Sequence, residues 1–592
     1  MLEHPRTSWL AALLVLIPAI ILARNLTVEN PLLSGDEYAY FAAAETFPHS
    51  SERFAVDPFL PRIYSPVFAA YGRVWFALSD RPELLMKVVN TLAFVATMAL
   101  FLALVRRLSH QEHSQLSLPV FLVLPLSAYT AYFMPEATYA CFFACLTWTV
   151  VVVLPSHVLG GAVLSGVLVG TMLLIKPHAL ALFVTVLLTT STVVIAPSGL
   201  RPDRRRVLVG VALFVVSTYV ALVCLNGVLS GTLSFHPLTF VGGIYQPYLA
   251  GGTSLWSLLG RVRPLLGILG GHLIVFGALL APAIAMSLFH LHTLYRSRSS
   301  VPQADPSRER MLFVLIVFSA FATLSTIGMT ANFSTQAELT SPAEHFRLHG
   351  RYYSFIIPLY LVLFFVQPAN HHVTSAAPRF WIRLGGLAGC IIAAFLYYLL
   401  GKRIIYPFDY PEAFVFSSWH GASRPGLLGS AIASIPYVAI AATIVSYAII
   451  AWKPRRVQIV YPLLLLALFS TSNIGVTAWQ RAHSAANARL RSAARTMREN
   501  IPLSERHQGL VIGPEWNGPV ATFMFNFRSS AHVLVRNPES TISDSDIPAD
   551  ARWVVLIGSY TSAFPGDLVL QTRQISLVRV RTPHRRFAQL PR

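Results

Sequence analysis

Charged residues are scarce in this 592-residue sequence: Asp, Glu, Lys and Arg make up 12% of it, against 54% hydrophobic residues and a mean hydropathy of +0.57. So little charge at this length excludes a soluble multidomain protein, and the chain's solvent is a membrane. Acids are scarcer than bases, 26 against 45, which leaves a net charge of +19. A nucleic-acid footprint would gather the surplus in one patch. Here it sits in short loops between apolar runs, at Arg106 and Arg107, Arg201 and Arg204 to Arg206, Arg296 to Arg310, and Lys453 to Arg456. That placement is a topology signal and points to no nucleic acid partner. Cysteines number four, Cys141, Cys145, Cys224 and Cys390. All lie in apolar segments without metal-ligand spacing beyond one Cys-x-x-x-Cys pair, so they read as small core residues. The first apolar run, Ser8 to Leu22, lacks a small-residue cleavage site and reads as a retained helix. Internal repeats and long low-complexity tracts are also missing.

Apolar runs long enough to cross a bilayer fall near 8–24, 83–105, 116–133, 137–154, 157–175, 178–196, 207–228, 264–289, 311–329, 351–367, 381–401, 428–451 and 457–476, about thirteen crossings. The expected fold is an α-helical polytopic membrane domain over 1–476 followed by a small α/β domain over 477–592. A cytoplasmic N-terminus puts the four basic clusters inside, as the positive-inside rule requires. It places 25–82, 229–263, 330–350, 402–427 and the C-terminal domain outside. Within the first outer stretch, Ile63 to Leu78 is too short and too interrupted to span and reads as an interfacial helix. The C-terminal domain is expected to begin with a polar helix over 480–500. Strands are expected at Gly509–Ile512, His532–Val535, Trp553–Ile557 and Leu568–Val580.

Several polar residues recur at the outer ends of the spans. Ser34-Gly35-Asp36-Glu37-Tyr38-Ala39-Tyr40 carries two adjacent carboxylates. Ser34 and Glu37 have capping-box spacing, so Glu37 has a plain structural reading, and Asp36 would fall in the first helical turn. Glu136 follows Pro135 at the end of the third run. Lys176-Pro177-His178 puts a cation in a loop too short to carry it far into water, where it is either a snorkelling lysine or a ligand for an anion. Ser341 to Tyr353 holds a second capping box, Ser341 with Glu344. If its helix runs through Gly350, Arg347 and Arg351 share a face and can grip a phosphate, of a lipid headgroup or of a substrate. Acids beside cations on one face suit a reaction on a lipid-borne phosphate, with a carboxylate as base and the cations steadying the departing charge.

The layout resembles the C-type superfamily of membrane glycosyltransferases, in particular protein O-mannosyltransferases and bacterial lipid A aminoarabinose transferases. The matching residues run in order: Asp36-Glu37, Arg62-Ile63-Tyr64-Ser65-Pro66 with Pro82-Glu83-Leu84, Met134-Pro135-Glu136, Lys176-Pro177 and Arg351-Tyr352. The linker has Tyr64-Ser65-Pro66 where aminoarabinose transferases have Glu-Lys-Pro, so the resemblance does not extend to the sugar or to lipid A.

The resemblance implies an inverting enzyme of a bacterial inner membrane that moves a sugar from a polyprenyl-phosphate carrier to an acceptor hydroxyl of a glycan, lipid or protein. It implies Asp36 as general base with Glu37 beside it. Lys176, Arg351, Arg62 and Arg347 would hold the donor phosphate, and Glu136, Tyr40, His178 and Tyr352 would surround the acceptor. The acids leave room for a divalent cation, Mg or Mn, without a convincing ligand set. A flippase of lipid-linked sugars would need polar residues deep in several spans. An assembly protein without catalysis would depend more on residues 480–592 than on Asp36.

Overall fold

The computed structural model describes residues 16, 18–48, 65–109, 116–193, 203–231, 255–296, 306–337, 346–366, 376–399, 403–417, 427–528, 531–572 and 575–581. Among them, nine helices are long and apolar enough to cross a membrane: Pro82–Leu108, Glu136–Ser156, Val158–Ile175, Arg204–Ser230, Arg261–Tyr295, Ser307–Thr335, Pro378–Leu399, Ala433–Trp452 and Pro454–Ala486. Each overlaps an expected span. Three other expected crossings are shorter apolar helices, Ser117–Ala131, Ala179–Thr192 and Ser354–Phe365. The first, 8–24, lies mostly outside the described residues, which are helical over 18–27.

The reason one crossing is shortened is visible in its sequence. The helix that opens at Ser117 stops at Leu122, and Pro125, with no N–H to give, starts a 3-10 turn to Ala131. The carbonyls this break releases are capped by side-chain amides: Asn473 on Val123 (2.7 Å), Asn25 on Ser127 (2.9 Å), Asn30 on Ala131 (3.0 Å) and Asn90 on Tyr132 (2.9 Å). Irregular backbone persists among membrane helices where the protein supplies its partners in this way.

The interfacial stretch is helical over Pro66–Leu78, with Pro66, Phe68, Ala69 and Gly72 buried and Val74 and Leu78 exposed. A Cβ on Gly72 would lie 2.7 Å from that of Ala44, so glycine sets how closely this helix approaches the one at Ser34–Thr46.

The last span, as the helix Val457–Ala486, continues unbroken past residue 476, where the sequence places the domain boundary, and the polar helix begins separately at Ala488–Asn500. The C-terminal strands are Gly509–Gly513 (β1), His532–Val535 (β2), Thr541–Ile542 (β3), Trp553–Ile557 (β4), Thr561–Ser562 (β5), Gly566–Gln571 (β6) and Ile575–Val580 (β7). The main sheet has the order β2-β1-β4-β7-β6. β1 runs parallel to β2 and β4, and β7 antiparallel to β4 and β6. Its central strands β1 and β4 are buried throughout, which their unbroken apolar runs require. The expected strand Leu568–Val580 is the β6–β7 hairpin.

This domain is seated on the first loop and on the start of the span that follows it. Arg491 pairs with Glu29 (3.0 Å), Arg528 with Glu83 (3.1 Å), and the rings of Phe41 and Phe525 lie 4.1 Å apart.

Candidate active site

Asp36 and Glu37 are neighbours with opposite fates. Their helix, Ser34–Thr46, has Leu33 at its N-cap position, where the expected box had placed Ser34. Glu37 instead reaches back to the N–H groups of Leu32 and Leu33 (2.9 Å), and also accepts from Phe133 N–H (2.7 Å) and the Asn30 amide. Burial pushes its pKa up against the pull of these donors. Fully buried and fully bonded, this carboxylate ties the first loop to the turn before Glu136. The Asp36 side chain is 42% exposed and, among the described residues, takes one bond, from Arg351 Nη1 at 2.8 Å.

Arg347 and Arg351 do not share a helix face, which corrects the expectation for this segment. Residue 347 bridges to Ile404, and Gly350–Tyr352 form a 3-10 turn. The chain cannot rise as a helix here because it pairs sideways with the 403–410 segment: Leu348 N–H bonds Ile404 carbonyl (3.0 Å) and Arg351 N–H bonds that of Asp409. A Cβ on Gly350 would stand 2.1 Å from the Tyr410 ring, so only glycine admits that ring.

The two guanidiniums still converge, on Asp409. Arg347 grips this fully buried carboxylate with Nε on Oδ2 and Nη2 on Oδ1 (3.1 Å), a bidentate fork. Arg351 Nε stands 3.7 Å from Oδ1, and His349 Nδ1 3.8 Å. Burial works against the Asp409 charge, but Arg347, His349 and Arg351 hold its carboxyl well below the usual carboxylate range.

Lys176, just past the helix Val158–Ile175, is buried and donates to Glu136 Oε1 at 2.6 Å. Burial lowers the ammonium's pKa, and Glu136 opposes this. The His178 ring stacks on Tyr352 with centroids 4.1 Å apart. Burial, then Lys176 and Arg351, drive the imidazole well below its ordinary pKa, so it is neutral. Tyr352 accepts from Arg351 Nη2 (3.0 Å). Glu136, Lys176, His178, Arg351 and Tyr352 line one cavity of about 10 Å³, room for about one water. The cationic side chains thus fill the site themselves.

The structure therefore brings together Asp36, Glu136, Lys176, His178, Arg347, Arg351 and Tyr352. Tyr40 is buried one turn along from Asp36, its ring edge-on to Phe68 at 5.3 Å. Arg62 and the expected cap Ser341–Glu344 lie outside the described residues. Sequence reading missed Asp409 and also Glu412, a buried carboxyl that accepts from Ser354 Oγ at 2.7 Å. Their signal was available: Asp409-Tyr410-Pro411-Glu412 sets two acids in an otherwise aromatic and apolar loop. Among the described residues, no three His, Cys, Asp or Glu side chains stand close enough to hold a metal. Asp36, Glu136 and Asp409 each face a cation instead, so these described carboxylates do not fit a divalent ion.

No family model and no curated protein matches the chain. Among solved structures it is similar to ArnT from Cupriavidus metallidurans in the apo state, with 14% identity, TM-score 0.49, and coverage of 97% of this chain and 98% of that one. The same protein bound to undecaprenyl phosphate gives 15% identity and TM-score 0.48 over the same shares. The archaeal oligosaccharyltransferase AglB from Archaeoglobus fulgidus, in complex with an inhibitory peptide and a dolichol-phosphate, gives 11% identity and TM-score 0.35, covering 94% of this chain and 70% of that one.

Proposed function

We propose that this protein is a membrane glycosyltransferase that moves a sugar from a polyprenyl-phosphate carrier to an acceptor hydroxyl. The observation that carries the reading is the contact of one half-exposed carboxylate, Asp36, with Arg351, a cation whose side chain is only 9% exposed and which shares its cavity with Lys176. In this arrangement Asp36 is neutralised by Arg351. A carrier phosphate entering beside Lys176 competes for the same guanidinium, and its arrival releases Asp36 as a base.

The acceptor oxygen then attacks the anomeric carbon, and its proton passes to Asp36. The bond from that carbon to the phosphate oxygen breaks, and the polyprenyl phosphate leaves with a second negative charge. Lys176 and Arg351 stabilise that charge, with Asp409 and Arg347 fixing the position of Arg351. Attack from the face opposite the phosphate inverts the anomeric centre. The expected site is the outer face of a bacterial inner membrane.

The test is transfer of radiolabel from a panel of polyprenyl-phosphate sugars to cell-envelope fractions by the protein in liposomes. Label transferred by wild type and lost in Lys176→Met supports the reading; full transfer by Lys176→Met overturns the phosphate assignment.

A further inference from the structure

Where the C-terminal domain meets the first loop, the described residues enclose a cleft of about 510 Å³, a volume typical of small-ligand sites. Asp36, Lys176 and Arg351 do not line it. Its one wall presents Arg495 and Arg498 from the helix Ala488–Asn500, with Glu499 beside them. The cleft is also lined by Asp80, just before the span Pro82–Leu108, by Glu83 in its first turn, and by Arg81, Lys87 and Arg528.

Of the two arginines, Arg495 is already ion-paired and Arg498, among the described residues, is not. Glu83 is taken by Arg528 (3.1 Å), and Glu29 is shared between Arg491 at 3.0 Å and Arg495 at 3.6 Å. Half-buried Arg498 forms an ion pair with no carboxylate among the described residues. Burial, then the nearby guanidiniums of Arg528, Arg506 and Arg495, hold its pKa below the ordinary arginine value. Two guanidiniums one helical turn apart grip a phosphate well. The lining carboxylates Asp80 and Glu499, acceptors only, suit hydroxyl groups.

We propose that this cleft binds a sugar phosphate, with the phosphate on Arg495 and Arg498 and the sugar hydroxyls on Asp80 and Glu499. The ligand is either a free sugar phosphate or the headgroup of a lipid in the surrounding membrane. Binding here needs no turnover, so the inference stands apart from the proposed transfer.

The experiment titrates glucose 1-phosphate against the full-length protein in phosphatidylcholine nanodiscs, reading the melting temperature. In parallel, nanodiscs containing phosphatidylinositol are examined by native mass spectrometry for retained lipid. A saturable rise in melting temperature for wild type and Asp36→Asn alike, with binding weakened about tenfold or more in Arg495→Gln/Arg498→Gln, supports a soluble ligand. Retention of phosphatidylinositol that the double variant loses, without response to glucose 1-phosphate, assigns the lipid headgroup. Arg498→Gln breaks no ion pair and serves if the double variant does not fold. Binding of neither probe, or equal binding by wild type and the Gln variants, overturns the proposal.

Discussion

Arg351 donates to Asp36 at 2.8 Å through Nη1, while Nε of the same guanidinium stands 3.7 Å from fully buried Asp409. One cation is thereby anchored from behind by a carboxylate that solvent cannot reach, and presented to a carboxylate that it can. The anchor is reinforced by the Arg347 fork, so the orientation of Arg351 does not depend on Asp36.

Asp409→Asn removes the anchor charge from two arginines at once. Breaking a buried ion pair from one side costs about 3–5 kcal/mol. Thermal denaturation in detergent should show a loss of that order, with transfer falling by at least the same factor as Arg351 loses its bearing. An Asp409→Asn protein as stable and active as wild type would contradict the anchoring role.

Glu136 and Lys176 form a second buried pair, at 2.6 Å. Glu136→Gln alone and Lys176→Met alone should each destabilise by about 3–5 kcal/mol. The double variant should recover part of that loss, since no charge is left unmatched, yet should remain inactive because Lys176 is gone. A double-mutant cycle on unfolding, run beside the transfer assay, separates the two effects.

How far the site was legible in the sequence follows from the range of the interactions that build it. The spans could be read because each depends on its own apolar composition over a long window. Asp36 stood out as one of two adjacent carboxylates after the first apolar run, and Lys176 because it marks the end of a span. Asp409 could not be matched to Arg347, 62 positions earlier, because nothing local dictates that pairing; it arises where the 346–352 and 403–410 segments meet. The helix expected through Gly350 failed for the same reason, a long-range backbone pairing prevailing over local spacing. The shortened crossing after Ser117 was foreshadowed by Pro119 and Pro125, but the amides of Asn25, Asn90 and Asn473 that make the break tolerable come from distant positions.

Glu37→Gln and Asp36→Asn should behave oppositely although the residues are adjacent. The first swaps an acceptor-only carboxylate for an amide whose NH₂ cannot accept, leaving buried donors around it unpaired at about 1–3 kcal/mol each. The second alters a half-exposed group with one partner. Folded yield and melting temperature should fall for Glu37→Gln and stay near wild type for Asp36→Asn.

Burial pushes the Glu412 carboxyl up to about 7 from 4.5, against the pull of Ser354. A carboxyl whose pKa is higher folded than unfolded adds stability that is full below the unfolded value and is lost as pH rises through the folded one. From about pH 4.5 to about pH 7, the melting temperature of wild type should therefore fall. Glu412→Gln, neutral throughout, should lose less over the same window; parallel curves would contradict a protonated Glu412.

The central claim is that Asp36 takes the acceptor's proton. The direct measurement is transfer from a polyprenyl-phosphate sugar by purified wild type and Asp36→Asn in liposomes, at matched folded protein and with donor binding measured separately. A general base contributes on the order of a hundredfold to ten-thousandfold. The account predicts that Asp36→Asn binds donor but loses transfer by about that factor, whereas near-normal transfer by Asp36→Asn would contradict it.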